Sequence, residues 1–279
     1  MINAFKSQEG KTAILDYYDS LLEKLTVPYE RLNINTVLGN TFILAAGDIE
    51  NQPIVLLHGS SMNSTMWISD IQKLCKNYRV YAPDMPGEPG RSDERQFPLR
   101  TSDYPDWLLD VFNALEIDRC ILIGASLGAW LAIKFSVNHS DMVDKLVLLS
   151  PAGVGSQNHE FKKIALSLLT RGEEGLNELF MKINGDNKIP DIILNYQKLI
   201  ALFFNSRQEI VPIFTDDELK NLTMPCILFV GGKDIMLYSD ETLKRFLDVV
   251  PHAERVMLED KGHSLAGLAD DIMEFLKRS

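Results

Sequence analysis

The sequence predicts an α/β protein built on a mostly parallel sheet with helices on both faces. Three features point there. Short, largely uninterrupted apolar runs recur at 54–57, 78–82, 120–123, 145–149, 226–230 and 253–258, as expected of strands covered on both sides. Helical apolar spacing fills the intervals at 66–76, 104–115, 127–139, 241–250 and 264–277. The two patterns alternate along the chain, with no repeat, low-complexity tract or linker between them, so residues 1–279 read as one domain.

The first elements stand outside that alternation. Ile14, Tyr17, Tyr18, Leu21, Leu22 and Leu25 share one helical face, predicting an amphipathic helix over 12–25. Strand-like runs at 29–35 and 41–46 follow, with Gly39-Asn40 between them as the expected turn. The alternation also breaks between Pro151 and Pro225, where only helical stripes occur. Phe161, Ile164, Leu168 and Leu169 form the first stripe, Leu176, Leu179, Phe180 and Ile183 the second, and Ile192, Ile193, Tyr196, Leu199, Ile200 and Phe203 the third. They follow one strand and precede the next, at the edge where α/β proteins bind ligands, so residues 152–214 read as an inserted helical cap. Thr215-Asp216-Asp217-Glu218 has the pattern of a capping box and marks the return to the main body.

A net charge of −11 argues against binding to nucleic acid or to anionic membranes, both of which draw on excess Lys and Arg. Cys75, Cys120 and Cys226 have no metal-ligand spacing; Cys120 and Cys226 each open an apolar run and read as buried reduced thiols. The start, Met1 to Lys6, lacks the apolar segment of a signal peptide, and no run is long enough to span a membrane. The expected compartment is the cytoplasm. A homo-oligomer stays open.

Gly124-Ala125-Ser126-Leu127-Gly128 lies between a strand-like run and a helical one. That setting presents the Ser126 hydroxyl on a sharp turn, with the Leu127 N–H directed at a developing oxyanion. A serine hydroxyl needs a base. Of five histidines, His263 lies in the loop after the last strand candidate, within reach of the Ser126 turn. His139 suits a helix end, and His159 and His252 read as exposed. Asp234 follows the run ending Val230-Gly231-Gly232-Lys233, where it can orient the imidazole. Ser150-Pro151-Ala152-Gly153, after the preceding strand, offers no competing acid, and Glu259 and Asp260 share the loop of His263. His58-Gly59-Ser60-Ser61 leaves an earlier central strand, so the Ser60 N–H is the expected second oxyanion donor. Ser61 is a candidate for touching substrate, His58 for tying the loop down, and Trp130 for packing.

These pieces resemble the α/β-hydrolase superfamily over nearly the whole chain. The resemblance rests on Leu56-Leu57-His58-Gly59, the run Asp84-Met85-Pro86-Gly87-Glu88-Pro89-Gly90-Arg91-Ser92, the serine turn, Gly232-Lys233-Asp234 and Gly262-His263. The second piece carries one residue more than the usual Asp-x-Pro-Gly-x-Gly-x-Ser, namely Pro89. With Trp67 and the N-terminal helix, the chain is similar to a branch of bacterial carboxylesterases. The resemblance implies an eight-stranded sheet with a helical cap, a Ser126–Asp234–His263 triad and no metal or organic cofactor. A serine at the turn argues against the dehalogenase and epoxide-hydrolase members, which use aspartate. An apolar cap points to a small to medium, mainly apolar ester. The same triad would serve a thioesterase, a C–C bond hydrolase, a lactonase or an aminopeptidase, the last using acids such as Glu173, Glu174 or Glu178 to hold an amine. A non-catalytic small-molecule receptor is the reading from another class.

Overall fold

The computed structural model describes residues 4–278; residues 1–3, at the start of the stretch read for a leader, and residue 279 lie outside the described residues. The eight strands are β1 (Tyr29–Thr36), β2 (Gly39–Ala46), β3 (Pro53–Leu57), β4 (Arg79–Pro83), β5 (Cys120–Ala125), β6 (Val143–Leu149), β7 (Cys226–Gly231) and β8 (Glu254–Leu258). They form one sheet in the order β1-β2-β4-β3-β5-β6-β7-β8. All pairings are parallel except β1 with β2 and β2 with β4.

Strand periodicity divides the core. Val55, Leu57, Leu122, Leu148 and Leu228 face one cluster, which contains Trp107, Trp130, Phe135 and Phe246. Ile54, Leu56, Ile123, Val147 and Phe229 face the other, with Tyr18, Trp67 and Phe275. Both faces of the central strands are therefore dry, which is why their sequences run apolar without alternation. Cys120 and Cys226 are buried free thiols inside this core, and burial pushes the Cys226 thiol up to about 12.

The helices covering the sheet include α1 (Gln8–Leu22), α2 (Ile68–Leu74), α3 (Asp103–Ala114) and α4 (Leu127–Ser136). Between β6 and β7 lie α5 (Phe161–Leu169), α6 (Gly172–Ile183) and α7 (Asp191–Phe203), which correspond to the three apolar stripes. They are lightly packed: α5 buries Leu168, α6 buries Gly175 and Leu179, and α7 buries Tyr196 and Ile200, which join the core beside α1. The chain re-enters the body through α8 (Asp216–Leu219), where Thr215 and Glu218 form the capping box in both directions. It ends with α9 (Ser239–Val249) and α10 (Ala269–Leu276).

Two local expectations are corrected. The β1–β2 turn is Val37-Leu38, because Thr36 already pairs with Gly39; Gly39, at φ 101°, opens β2 instead. The last helix starts at Ala269, five residues later than the apolar spacing suggested, because residues 264–268 have other hydrogen-bond partners. The Ser264 N–H meets the Ile183 carbonyl at 3.4 Å, and the Gly267 N–H meets Asp70 Oδ2 at 3.2 Å. No described helix is long and apolar enough to cross a membrane.

Candidate active site

The carboxyl ends of β5, β7 and β8 bring Ser126, Asp234 and His263 together. Ser126 joins β5 to α4 with φ 51° and ψ −110°, a backbone conformation costly for a residue with a side chain. Main-chain contact fixes it there: its N–H donates to the Leu149 carbonyl at 2.9 Å, and its own carbonyl accepts from the Trp130 N–H at 3.0 Å. The flanking glycines permit the crossing. A Cβ on Gly124 would lie 2.4 Å from the Gly128 carbonyl oxygen, and one on Gly128 would lie 2.1 Å from that of Leu57.

The Ser126 hydroxyl donates to His263 Nε2 at 2.9 Å, and His263 Nδ1–H donates to Asp234 Oδ2 at 2.8 Å. Asp234 is almost wholly buried, and its Oδ1 accepts from the Met236 and Leu237 N–H groups at 2.7 and 3.0 Å. Those bonds hold the carboxylate face toward the imidazole and so select the tautomer that leaves Nε2 free to accept. The His263 backbone is anchored separately: its N–H donates to the Ile183 carbonyl at 2.8 Å, at the end of α6. Gly185 and Gly262 pack main chain to main chain at that point; a Cβ on Gly262 would lie 2.3 Å from the Gly185 nitrogen.

The turn after β3 runs beside the serine, with Gly59 placed so that a Cβ there would be 3.6 Å from the Ser126 Cβ. Neither the Ser60 N–H nor the Leu127 N–H meets an acceptor among the described residues. Ser61 is engaged: its N–H donates to Glu88 Oε2 at 2.7 Å and its hydroxyl lies 3.0 Å from Ser206 Oγ. A substrate contact through that hydroxyl would share or replace the Ser206 bond.

Among the described residues no group of three or more His, Cys, Asp or Glu is placed to hold a metal ion. Two open surface depressions, one bordered by Val27, Tyr29 and Cys75 and the other by Ile164, Ser167 and Lys182, contain none of Ser126, Asp234 and His263.

Residues 54–274 match the alpha/beta hydrolase family. The chain belongs to that family. Among the relatives of this hydrolase is the uncharacterized carboxylesterase nap of Bacillus subtilis strain 168, which is 30% identical over 90% of this chain and 87% of its own length. A second from the same organism, the carboxylesterase YbfK, is 26% identical over 94% and 91%. The solved structure of naproxen esterase from Bacillus subtilis superposes with a TM-score of 0.88 at 27% identity, covering 98% of this chain and all of the other.

Other sequence-flagged residues of the hydrolase have structural duties. His58 is fully buried; its Nε2 accepts from the Met85 N–H at 2.8 Å and its Nδ1–H donates to the Gly59 carbonyl at 2.9 Å. Burial lowers its pKa, keeping it neutral as a tie between the turn after β3 and the loop after β4. Trp130 is buried, stacks on Phe214 and donates to the Pro212 carbonyl at 3.1 Å. His139 lies against the Phe135 ring, and His159 and His252 are exposed. Glu173, Glu174 and Glu178 are paired with Lys198 or Arg171 on the outer surface of the insertion. Asp260 faces Lys233 at 3.6 Å rather than the imidazole.

Two contacts around the site were not anticipated from the sequence. The Ile183 carbonyl on the His263 N–H has no local signal, since any residue supplies a carbonyl. Glu88 has one: a carboxylate between Gly87 and Pro89, in the motif that carries an extra residue, is buried to 2% exposure.

Proposed function

We propose that this hydrolase cleaves a carboxylic ester of a small to medium, mainly apolar substrate through an acyl-enzyme on Ser126. The observation that carries the reading is the unbroken chain Ser126–His263–Asp234 at 2.9 and 2.8 Å, with the serine on a strained turn. In this mechanism Ser126 Oγ attacks the ester carbonyl carbon while His263 Nε2 takes its proton. Asp234 holds Nδ1–H and stabilises the imidazolium. The oxyanion accepts hydrogen bonds from the Ser60 and Leu127 N–H groups, each worth about a hundredfold to a thousandfold in rate. Collapse expels the alcohol, protonated by His263. Water, deprotonated by the same nitrogen, then attacks the acyl carbonyl and releases the acid. Residues 152–214 serve as the cap over the acyl group. The names of the Bacillus relatives support ester chemistry.

A second reading has its own support. A protein of Metapseudomonas resinovorans named 2-hydroxy-6-oxo-6-(2'-aminophenyl)hexa-2,4-dienoic acid hydrolase is 27% identical over 90% of both chains. C–C bond cleavage next to a ketone therefore belongs in the substrate screen.

An active-site fluorophosphonate should form one covalent adduct, on Ser126, and Ser126→Ala should abolish it. Absence of an adduct on the folded protein rejects the hydrolase mechanism and leaves the receptor reading. Turnover compared across p-nitrophenyl esters, thioesters, amides and a dienone substrate then assigns the bond.

A further inference from the structure

Glu88 has no part in the triad, yet it touches the turn on which the oxyanion donor sits. Its side chain is wholly buried, and Oε2 accepts from the Ser61 N–H at 2.7 Å, one residue beyond Ser60. Ser61 has φ 57°, a conformation that a serine keeps only when its surroundings enforce it. The charge-assisted bond to Glu88 is one such restraint, and the Ser61 hydroxyl on Ser206 is another.

The far side of Glu88 meets the segment by which the insertion returns to the body. Arg207 lies there, 6% exposed in its side chain, with Nε 3.8 Å from Glu88 Oε1. Its Nη1 donates to the Phe97 carbonyl at 2.8 Å and to Glu209 at 3.2 Å, and its Nη2 donates to the Tyr104 hydroxyl at 2.5 Å. The same segment is fastened on both sides of Arg207. The Gln96 side chain donates to the Asn205 carbonyl at 2.8 Å, and Glu209 accepts from the Leu99 N–H at 3.0 Å. The ion pair is the loose member of this set: its separation exceeds a charge-assisted hydrogen bond by about 1 Å. Glu88 Oε1 and Arg207 Nε consequently have no hydrogen-bond partner among the described residues.

We infer that Glu88 is a positioning residue for hydrolysis at Ser126: it holds the turn that carries the Ser60 N–H, and through Arg207 it ties that turn to the seating of residues 204–214. The inference rests on the proposed role of Ser60 as an oxyanion donor. A shift of this segment displaces Arg207, alters the charge environment of Glu88 and loosens the turn. The oxyanion hole is then complete only when the returning segment is seated.

Burial pushes the Glu88 carboxyl up to about 7, while Arg207 and the Ser61 N–H pull it down. The charged and titratable groups around it are Arg207 and, behind it, Glu209 from the returning segment, with Tyr104 from α3. Protonation weakens the grip on Ser61, so Glu88 contributes an ionisation to the acid limb of kcat.

The test follows p-nitrophenyl butyrate hydrolysis by the full-length chain across about pH 5.5 to 9. Glu88→Ala should lower kcat by about tenfold to a hundredfold with KM within about twofold. Glu88→Gln, which keeps an acceptor for Ser61, should restore most of that loss at neutral pH and remove one ionisation from the acid limb. Arg207→Met should move that ionisation to higher pH. Wild-type kcat and pH profiles in all three variants overturn the inference. So does a kcat loss in Glu88→Ala with unmoved profiles in the other two, which is the pattern of packing alone. If Glu88→Ala does not fold, the other two profiles decide. Fluorophosphonate labelling separates the levels: no adduct and no turnover in the wild type reject the hydrolase reading, whereas a labelled, active wild type with unaffected variants rejects only the role of Glu88.

Discussion

Ser126 and the turn of Ser60 and Ser61 lie side by side, but different forces hold them. At Ser126, main chain presses on main chain: Gly124 and Gly128 leave no room for a methyl group, and β5 and all of α4 except Lys134 are buried. On the turn, side chains do the holding: Glu88 and Ser206 at Ser61, and His58 at the Gly59 carbonyl. The first arrangement is steric and insensitive to solution conditions. The second depends on charge and on a segment that belongs to the insertion. One site thus joins a serine held by main-chain packing to a turn held by side chains.

Mutations should separate the two sides, with the largest effects on the triad. Asp234→Asn should cut turnover about ten-thousandfold while leaving the urea unfolding midpoint in place, since the loss falls on the His263 tautomer. Unchanged turnover would move the orienting acid elsewhere. Gly128→Ala should cost about 3 kcal/mol of stability in urea unfolding, because the new methyl meets an immovable carbonyl at 2.1 Å. Gly59→Ala on the turn is its control: the nearest contacts at 3.6 Å are ordinary, and the unfolding free energy should stay within about 0.5 kcal/mol. Equal losses in these two variants would erase the contrast.

The next effect depends on pH. The Glu88 carboxyl is higher in the folded chain than its ordinary 4.5, at about 7, so the folded state favours its protonated form. Its contribution is favourable below pH 4.5 and is lost as pH rises toward 7. Above that the cost is on the order of 3 kcal/mol. Unfolding free energy measured on Glu88→Gln should therefore gain on the wild type between about pH 5 and 7 and hold that gain at higher pH. A gain independent of pH would mean that the carboxylate is not the cause. Smallest of all, Thr215→Ala should remove the capping box of α8 and cost about 1 kcal/mol, read from the same unfolding curves.

The same contrast explains what could be read in advance. Strands β3, β5 and β7 were visible because dry faces on both sides demand apolar residues at nearly every position. The meeting of Ser126, His263 and Asp234 was legible because the three residues follow short apolar runs whose carboxyl ends lie at one edge of the sheet. Gly124 and Gly128 marked the strained turn. The course of residues 264–268 was not visible, because Leu265 and Leu268 are buried as a helix would bury them while the backbone bonds go to Ile183 and Asp70. Arg207 gave no sign either. Its partner lies more than a hundred positions away in the chain, and an arginine in a polar stretch looks solvated until the fold encloses it.

The bond between the Ile183 carbonyl and the His263 N–H bears on how this protein could be remodelled. The insertion has one junction that is open and one that is anchored. At the start of α6, Gly172 has a positive φ, and a Cβ there would meet nothing within 4 Å, so the tip of the α5–α6 turn can change without disturbing a neighbour as long as Gly175 is kept, where a Cβ would lie 1.8 Å from the Leu168 carbonyl oxygen. Between α6 and α7, Gly185 lies against Gly262 and the Asn187 side chain donates to the Asp260 carbonyl at 2.6 Å, so any graft that replaces this junction also replaces the support of His263. Changes at the tip of the α5–α6 turn leave His263 in place, while residues 183–187 descend with the histidine they hold.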